Sequence, residues 1–581
     1  DRVFTIALLP LLVCCALPAP GVAAGGESAW GEHIRHTACR HAHVPWGARV
    51  GEAQHHYGRG NPFDTQHLRV EATLDFEREA VIGTVTHTVR AVAEARAEIR
   101  FDAVALDIQE VSVDGVPTPY EVTADAVVVR PPEPFAAGES VDIAIAYTAL
   151  RPARGLYFIT ERKGYAADEV MAWTQGQPED TRYWLPSYDY PNDRATTEAI
   201  LTVPAEFDAL SNGVRVDDYD DPVADTRTVH WRLEQPHPTY LINVAAGPFV
   251  EVADYAGGLP NYYYARPGLE ADIAASFGRT PDMLVHFPAL LGVAYPYARY
   301  GQVAVVDFVA GGMENTTLTT MHETFVLPPD ARLTRNSDWI VAHELAHQWF
   351  GDLVTCRDWS HIWLHEGYAT YFEWVWEGEA RGRDGFLHMA ERDAERVRGF
   401  DRGDNRRPIV TTRYAEPSEL FTPLIYEKGA WVLHMLREQI GDEAFWNGTR
   451  ALLETHRNGP IETLDLRNAL ETASGDNLQG FFLQWLYNAG YPELEVRYAW
   501  DASERLARID VVQKQSGDAT PHAFVFNTEI AFYRDGAVQR RALRITERAH
   551  TFYVPVDWQP DFVRFDPDEA VLKTLSFEKG V

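Results

Sequence analysis

His343-Glu344-Leu345-Ala346-His347 sets two imidazoles four residues apart with a carboxylate between them. On a helix, residues four apart project from one face, so both rings can reach one divalent ion while Glu344 turns toward a water beside it. Two ligands and a base are thereby at hand. The same five residues also occur by chance on ordinary surface helices, and taken alone they leave both readings open. Eighteen residues separate His347 from Glu366, which lies in Trp363-Leu364-His365-Glu366-Gly367-Tyr368, a segment whose apolar flanks suit a second buried helix. A buried acid paired with a base is the plain alternative for Glu366. Two histidines and one carboxylate leave a fourth coordination position to water, the pattern of a catalytic zinc, one ion per chain. Ligand chemistry by itself also admits cobalt or manganese.

Three further segments carry polar groups whose plain readings are structural. Gly311-Gly312-Met313-Glu314-Asn315 reads alone as a turn beside a solvated acid. Gln177, in Thr174-Gln175-Gly176-Gln177-Pro178-Glu179, reads as a loop amide bonded to backbone. Tyr426, in Leu424-Ile425-Tyr426-Glu427-Lys428-Gly429-Ala430, reads as a core tyrosine on a helix.

Together with the run from His343 to Thr355 and the segment around Glu366, these motifs resemble the aminopeptidase N family of gluzincins, which also contains leukotriene hydrolase. The resemblance covers most of the chain beyond its first sixty residues. It implies a zinc-dependent aminopeptidase with a thermolysin-like, mainly helical catalytic domain, acting on peptides with a free N-terminus. In that setting Zn²⁺ is held by His343, His347 and Glu366, and Glu344 serves as base. Gly311, Gly312 and Met313 lie along the substrate, Glu314 and Gln177 hold its amino end, and Tyr426 donates to the oxyanion. His365 departs from the family's usual Asn before the third ligand; it alters the surrounding hydrogen bonds and removes no ligand. Rival readings are lipid-epoxide hydrolysis at a similar site and a non-catalytic ectodomain that keeps the fold. The former lacks any sign of a long lipid tunnel, and the latter is weakened because base, tyrosine and all three ligands occur together.

The elements that must position these residues follow from length and pattern. A chain of 581 residues exceeds the roughly 250–300 at which one core stops growing, so three or four domains are expected. The fold class is multidomain α+β. An apolar run from Val3 to Leu17 with a small-residue exit at Val22-Ala23-Ala24 reads as a secretory signal over 1–24, predicting an exported, periplasmic or secreted protein without a stable membrane span. Residues 25–62 read as a flexible lead-in, whose His33, His36, Cys39, His41 and His43 match no well-formed zinc set. Period-two alternation at Leu68, Val70, Ala72, Leu74 and Phe76, with turns at Gly83 and Asp114-Gly115, predicts an N-terminal β domain over 63–250. Helical texture with Asn336 or Ser337 as a cap, and a helix running from Ser337 to Phe350, predicts the catalytic domain over 251–487. Strand texture returns over 488–581 as a β-sandwich.

Asp plus Glu number 85 against 52 Lys plus Arg, for a formal charge of −33, which repels phosphates and makes nucleic acid an unsuitable partner. With Cys14 and Cys15 in the leader, only Cys39 and Cys356 remain, so no disulfide framework is expected. No signature of oligomeric state is present. The first residue is Asp, which suggests that the start of the frame lies upstream. Many relatives continue into a large helical domain, so either the cleft is open or the chain extends further than Val581.

Overall fold

The computed structural model describes residues 47–48, 51–92 and 95–579, so the expected signal segment and the His33–His43 cluster lie outside the described residues. In Phe63–Asp75 the residues Leu68, Val70, Ala72 and Leu74 are buried and their neighbours are not, as a half-buried strand requires. This strand sits near the middle of an eight-stranded sheet in the order Val214–Asp221, Thr226–His237, Ala195–Pro204, Phe63–Asp75, Ala80–Ala91, Ser140–Leu150, Asp107–Val113, Val116–Pro117. Asp114 and Gly115 take φ of 48° and 76° and turn the last hairpin, as their types demand. Gly83 is no turn; it lies inside Ala80–Ala91, where a Cβ would come within 2.2 Å of the Glu71 carbonyl oxygen across the pair. A second sheet orders Gly155–Ile159, Met171–Gln175, Val244–Gly247 and Asp208–Ser211, and a third pairs Ile99–Asp102, Ala126–Val129 and Tyr120–Val122. In the lead-in, Gln54–His55 pairs with Arg413–Tyr414 and His56 stacks on Tyr414, although no period there announces a strand.

A five-stranded sheet follows, ordered Val250–Ala256, Leu259–Ala265, Tyr300–Val305, Thr319–His322, Gly312–Met313, which leaves Gly312–Met313 at an edge. Helices α1 (Glu270–Ser276), α2 (Thr280–Leu291), α3 (Asp338–Ala346), α4 (Trp363–Arg381), α5 (Arg383–Phe400), α6 (Glu427–Ile440), α7 (Asp442–Thr455), α8 (Thr463–Ser474) and α9 (Gln479–Leu486) dominate the rest of this region, with a short parallel pair between Val354–Cys356 and Gly459–Ile461. Helix α4 is buried from Trp363 through Glu377, so it runs through the core rather than over it. It meets α6 backbone to backbone, with Gly367 and Gly429 so close that a Cβ on either would lie about 3 Å from the other's backbone. After α9 the chain forms two sheets, one of four strands and one of three, whose buried faces meet at Tyr498 and Phe532. The architecture is multidomain α+β, with an N-terminal β-sheet part, a helical middle and C-terminal β-sheets. Among the described residues Cys356 is the sole cysteine, free and buried, and no helix is long and apolar enough to cross a membrane.

Candidate metal centre

Helix α3 is shorter than its apolar pattern suggests. It ends at Ala346, with His347 as its C-cap, and the chain turns away through Gly351 at φ 142°. Ser337 takes the N-cap position, but its hydroxyl donates to the Phe325 carbonyl at 2.6 Å, and Asn336, one residue earlier, accepts from the Asp338 amide at 3.0 Å through Oδ1. The one-turn offset of His343 and His347 survives, and their ring centroids lie 4.8 Å apart.

Each imidazole is oriented from behind. His343 Nδ1 bonds to Glu373 Oε1 at 2.9 Å, and His347 Nδ1 donates to the Phe350 carbonyl at 2.9 Å. Both Nε2 atoms therefore face inward, and each lies 3.4 Å from Glu366 Oε2. A tetrahedral ion with bonds of about 2.0–2.1 Å holds its ligand atoms about 3.3–3.4 Å apart, so the three donors stand at zinc spacing. Glu314, Glu344 and His347 form an overlapping group whose donor atoms also lie within 4.8 Å of one another. In that group Glu314 is already engaged, its Oε1 accepting from Gln177 Nε2 at 2.9 Å. His343, His347 and Glu366 thus make the better ligand set.

The charges agree. Burial opposes ionisation of Glu366, but His347 and His343 outweigh it and hold the carboxyl down at about 2. Burial would lower His343, yet Glu366 and Glu373 raise it to about 9, and His347 is likewise driven well above its ordinary value by Glu314 and Glu366. Two buried rings hold protons against one carboxylate, an arrangement in which a divalent cation can replace those protons. Burial also lifts Glu344, to about 8, with His343 and His347 opposing and Glu314 and Glu366 adding to the shift. Glu344 Oε2 is buried without a protein hydrogen-bond partner, as suits a carboxylate directed at a small polar guest.

The residues expected from sequence all come to this place. The edge strand Gly312–Met313 pairs with Thr320 and Met321, and Gly312 lies so close to Glu344 that a Cβ there would sit 2.3 Å from Oε1. Gly311 accepts from the His322 amide at 2.9 Å through its carbonyl. Glu314 directly follows Met313 and is buried; burial pushes its carboxyl up. Gln348 Nε2 donates to the Glu314 carbonyl at 3.1 Å, and its Oε1 accepts from the Thr317 amide and the Tyr295 hydroxyl, which ties the segment after this strand to the turn that follows α3. Gln177 comes from the chain just after Met171–Gln175. That strand also grips the approach to Gly311, with Trp173 Nε1 donating to the Val306 carbonyl at 3.0 Å. Tyr426 precedes the first residue of α6 instead of lying within the helix, and its ring faces His343 at 6.0 Å and 25°. His365 accepts from the Cys356 amide at 2.7 Å through Nε2, and burial lowers it to about 3, so it stays neutral and takes no ligand's place.

Sequence reading missed Glu373, the carboxylate that orients His343. It stands seven residues beyond Glu366, two turns along the same face of α4, and that spacing was the available signal.

The Peptidase M1 N-terminal domain matches residues 61–241 and the Peptidase family M1 domain residues 276–485. Aminopeptidase 2 of Candida albicans is 26% identical over 541 residues, 89% of this chain and 55% of that protein. Aminopeptidase M1 of Arabidopsis thaliana is 31% identical over 348 residues, 56% of this chain and 38% of that protein. Glutamyl aminopeptidase of Bos taurus is 28% identical over 424 residues, 70% and 43% respectively. The chain spans about half, or less, of the length of the curated relatives it matches. Both domains match in order, and His343, His347 and Glu366 form the family's zinc site: the chain belongs to peptidase family M1.

Proposed function

We propose that the chain is a zinc aminopeptidase that removes the first residue from peptides with a free amino end. When bound, zinc at such a site supplies Lewis acidity and brings the pKa of water toward neutrality. Glu344 takes a proton from the attacking water at Oε2 and passes it to the leaving amine nitrogen. Tyr426 donates its hydroxyl to the carbonyl oxygen as that oxygen gains charge. Gly311, Gly312 and Met313 run beside the peptide, the sheet edge offering backbone groups to an extended strand. Glu314 and Gln177 receive the α-ammonium group and so set the scissile bond over the metal site.

The observation that carries this reading is the buried Gln177–Glu314 pair, 2.9 Å across, beside the zinc triad. An internal peptide bond brings no cation to neutralise a buried carboxylate, so the pair measures distance from the chain end. Matched aminoacyl p-nitroanilides, free and N-acetylated, test it. Only the free substrate is expected to be cleaved, and Glu314→Ala is expected to lower its kcat/KM by about 10² or more. Equal cleavage of both substrates by the unaltered protein would refute it. Export to the periplasm or cell exterior is part of the same proposal, supported by the apolar run and small-residue exit within residues 1–24.

A further inference from the structure

Helix α5 contributes none of the groups assigned to ligand or substrate, yet its inward face is charged. Arg392 Nη2 donates to Glu373 Oε2 at 3.2 Å, the carboxylate whose other oxygen bonds His343. Arg392 Nε donates to Asp393 Oδ1 at 2.9 Å, and Asp393 Oδ2 accepts from Trp374 Nε1 at 2.8 Å. One turn further on the same face, Arg396 Nη1 stands 3.6 Å from Asp393 and donates at 3.2 Å to Glu427 Oε1. Glu427 is the residue after Tyr426. The next residue, Lys428, is bound through Nζ at 2.7 Å to Asp401, which directly follows α5; both are fully buried.

Burying carboxylates such as Glu373, Asp393 and Glu427 is costly, and apolar residues of similar volume often replace buried ion pairs without loss of stability. Tyr426 has φ −82° and ψ −88°, outside helical values, and stands at the N-cap of α6 with its carbonyl accepting from the Ala430 amide at 2.9 Å; the two residues that follow it, Glu427 and Lys428, carry the side-chain anchors just described. We propose that α5 is a positioning frame, in which Arg392 orients His343 through Glu373 and Arg396 places Tyr426 by holding Glu427. The frame keeps a metal ligand and a hydroxyl in one mutual geometry. Its Tyr426 arm rests on the oxyanion role proposed above.

A double-mutant cycle on the full chain tests it, with kcat and KM for an aminoacyl p-nitroanilide, zinc affinity by chelator competition, and thermal unfolding. Arg396→Met and the isosteric Glu427→Gln are each expected to lower kcat about tenfold, with KM changed less than about twofold and zinc affinity intact. In a Tyr426→Phe background the same changes are expected to cost less than about twofold. Arg392→Met is expected to weaken zinc binding about tenfold. Undiminished tenfold losses in the Tyr426→Phe background would overturn the frame, as would a fall in zinc affinity with Arg396→Met equal to that of Arg392→Met. If Tyr426→Phe alone leaves kcat unchanged, the oxyanion role falls instead, and unchanged zinc affinity in Arg392→Met would then overturn the frame.

Discussion

Gly312→Ala separates the position of the base from the integrity of the metal site. A Cβ at residue 312 would lie 2.3 Å from Glu344 Oε1, 2.6 Å from Cδ and 2.7 Å from Cγ. Ordinary contact begins near 3.4 Å, so something must yield by about 1 Å. Helix α3 is held by the bonds of His343 to Glu373 and of His347 to Phe350, whereas Glu344 Oε2 has no such tie, so the carboxylate moves first. Pushing it off its rotamer costs about 0.5–1.5 kcal/mol, a small charge on stability. Misplacing a catalytic group by 1 Å costs about 10² in rate, equivalent to about 2.7 kcal/mol of barrier. The expected variant is folded, binds zinc normally, and cleaves an aminoacyl p-nitroanilide about 100-fold more slowly. Activity within about threefold of the unaltered protein would refute the claim that Glu344 must stand where it does. Zinc lost in parallel with activity would show that the clash passes to the ligands.

Glu373→Ala removes the acceptor of His343 Nδ1 and is expected to weaken zinc binding about 10–100-fold, read by chelator competition; unchanged affinity would mean that the ring orients itself. In the metal-free protein His343 titrates near 9 and His347 also well above its ordinary value, so both carry protons at neutral pH. Zinc must displace them, and its uptake is expected to release about two protons. Apparent affinity then rises with pH, approaching about two log units per pH unit where both rings carry protons. Calorimetry in buffers of different ionisation enthalpy measures this release, and pH-independent affinity between about 6 and 8 would contradict it.

Much of the site was legible because its chemistry is written in local spacing. His343, Glu344 and His347 need only one helical turn, and Glu366 needs only a second helix. What was not legible depends on packing between elements. The pattern from Ser337 to Phe350 reads as one helix, but the regular helix ends at Ala346, and Gly351, at φ 142°, turns the chain toward Val354–Cys356, which pairs with the distant Gly459–Ile461. Ser337 and Asn336 are equivalent as caps by type; Ser337 takes the N-cap position, but the Phe325 carbonyl claims its hydroxyl and leaves the Asp338 amide to Asn336. Tyr426 reads as helical because α6 follows it directly; it stands at the cap instead, and the pairing of Glu427 with Arg396 of α5 and of Lys428 with Asp401 just beyond α5 leaves no local trace. The β domain was recognisable from alternation in Phe63–Asp75, whereas its parallel pairing with Ala195–Pro204 across more than a hundred residues leaves no local trace.

The account stands on three donor atoms spaced for one ion, and diffraction from zinc-loaded crystals on both sides of the zinc absorption edge tests this most directly. One anomalous peak is expected, about 2.0–2.2 Å from His343 Nε2, His347 Nε2 and a Glu366 oxygen. A peak coordinated by Glu314 and Glu344 in place of His343 and Glu366, or no peak among these residues, would contradict it.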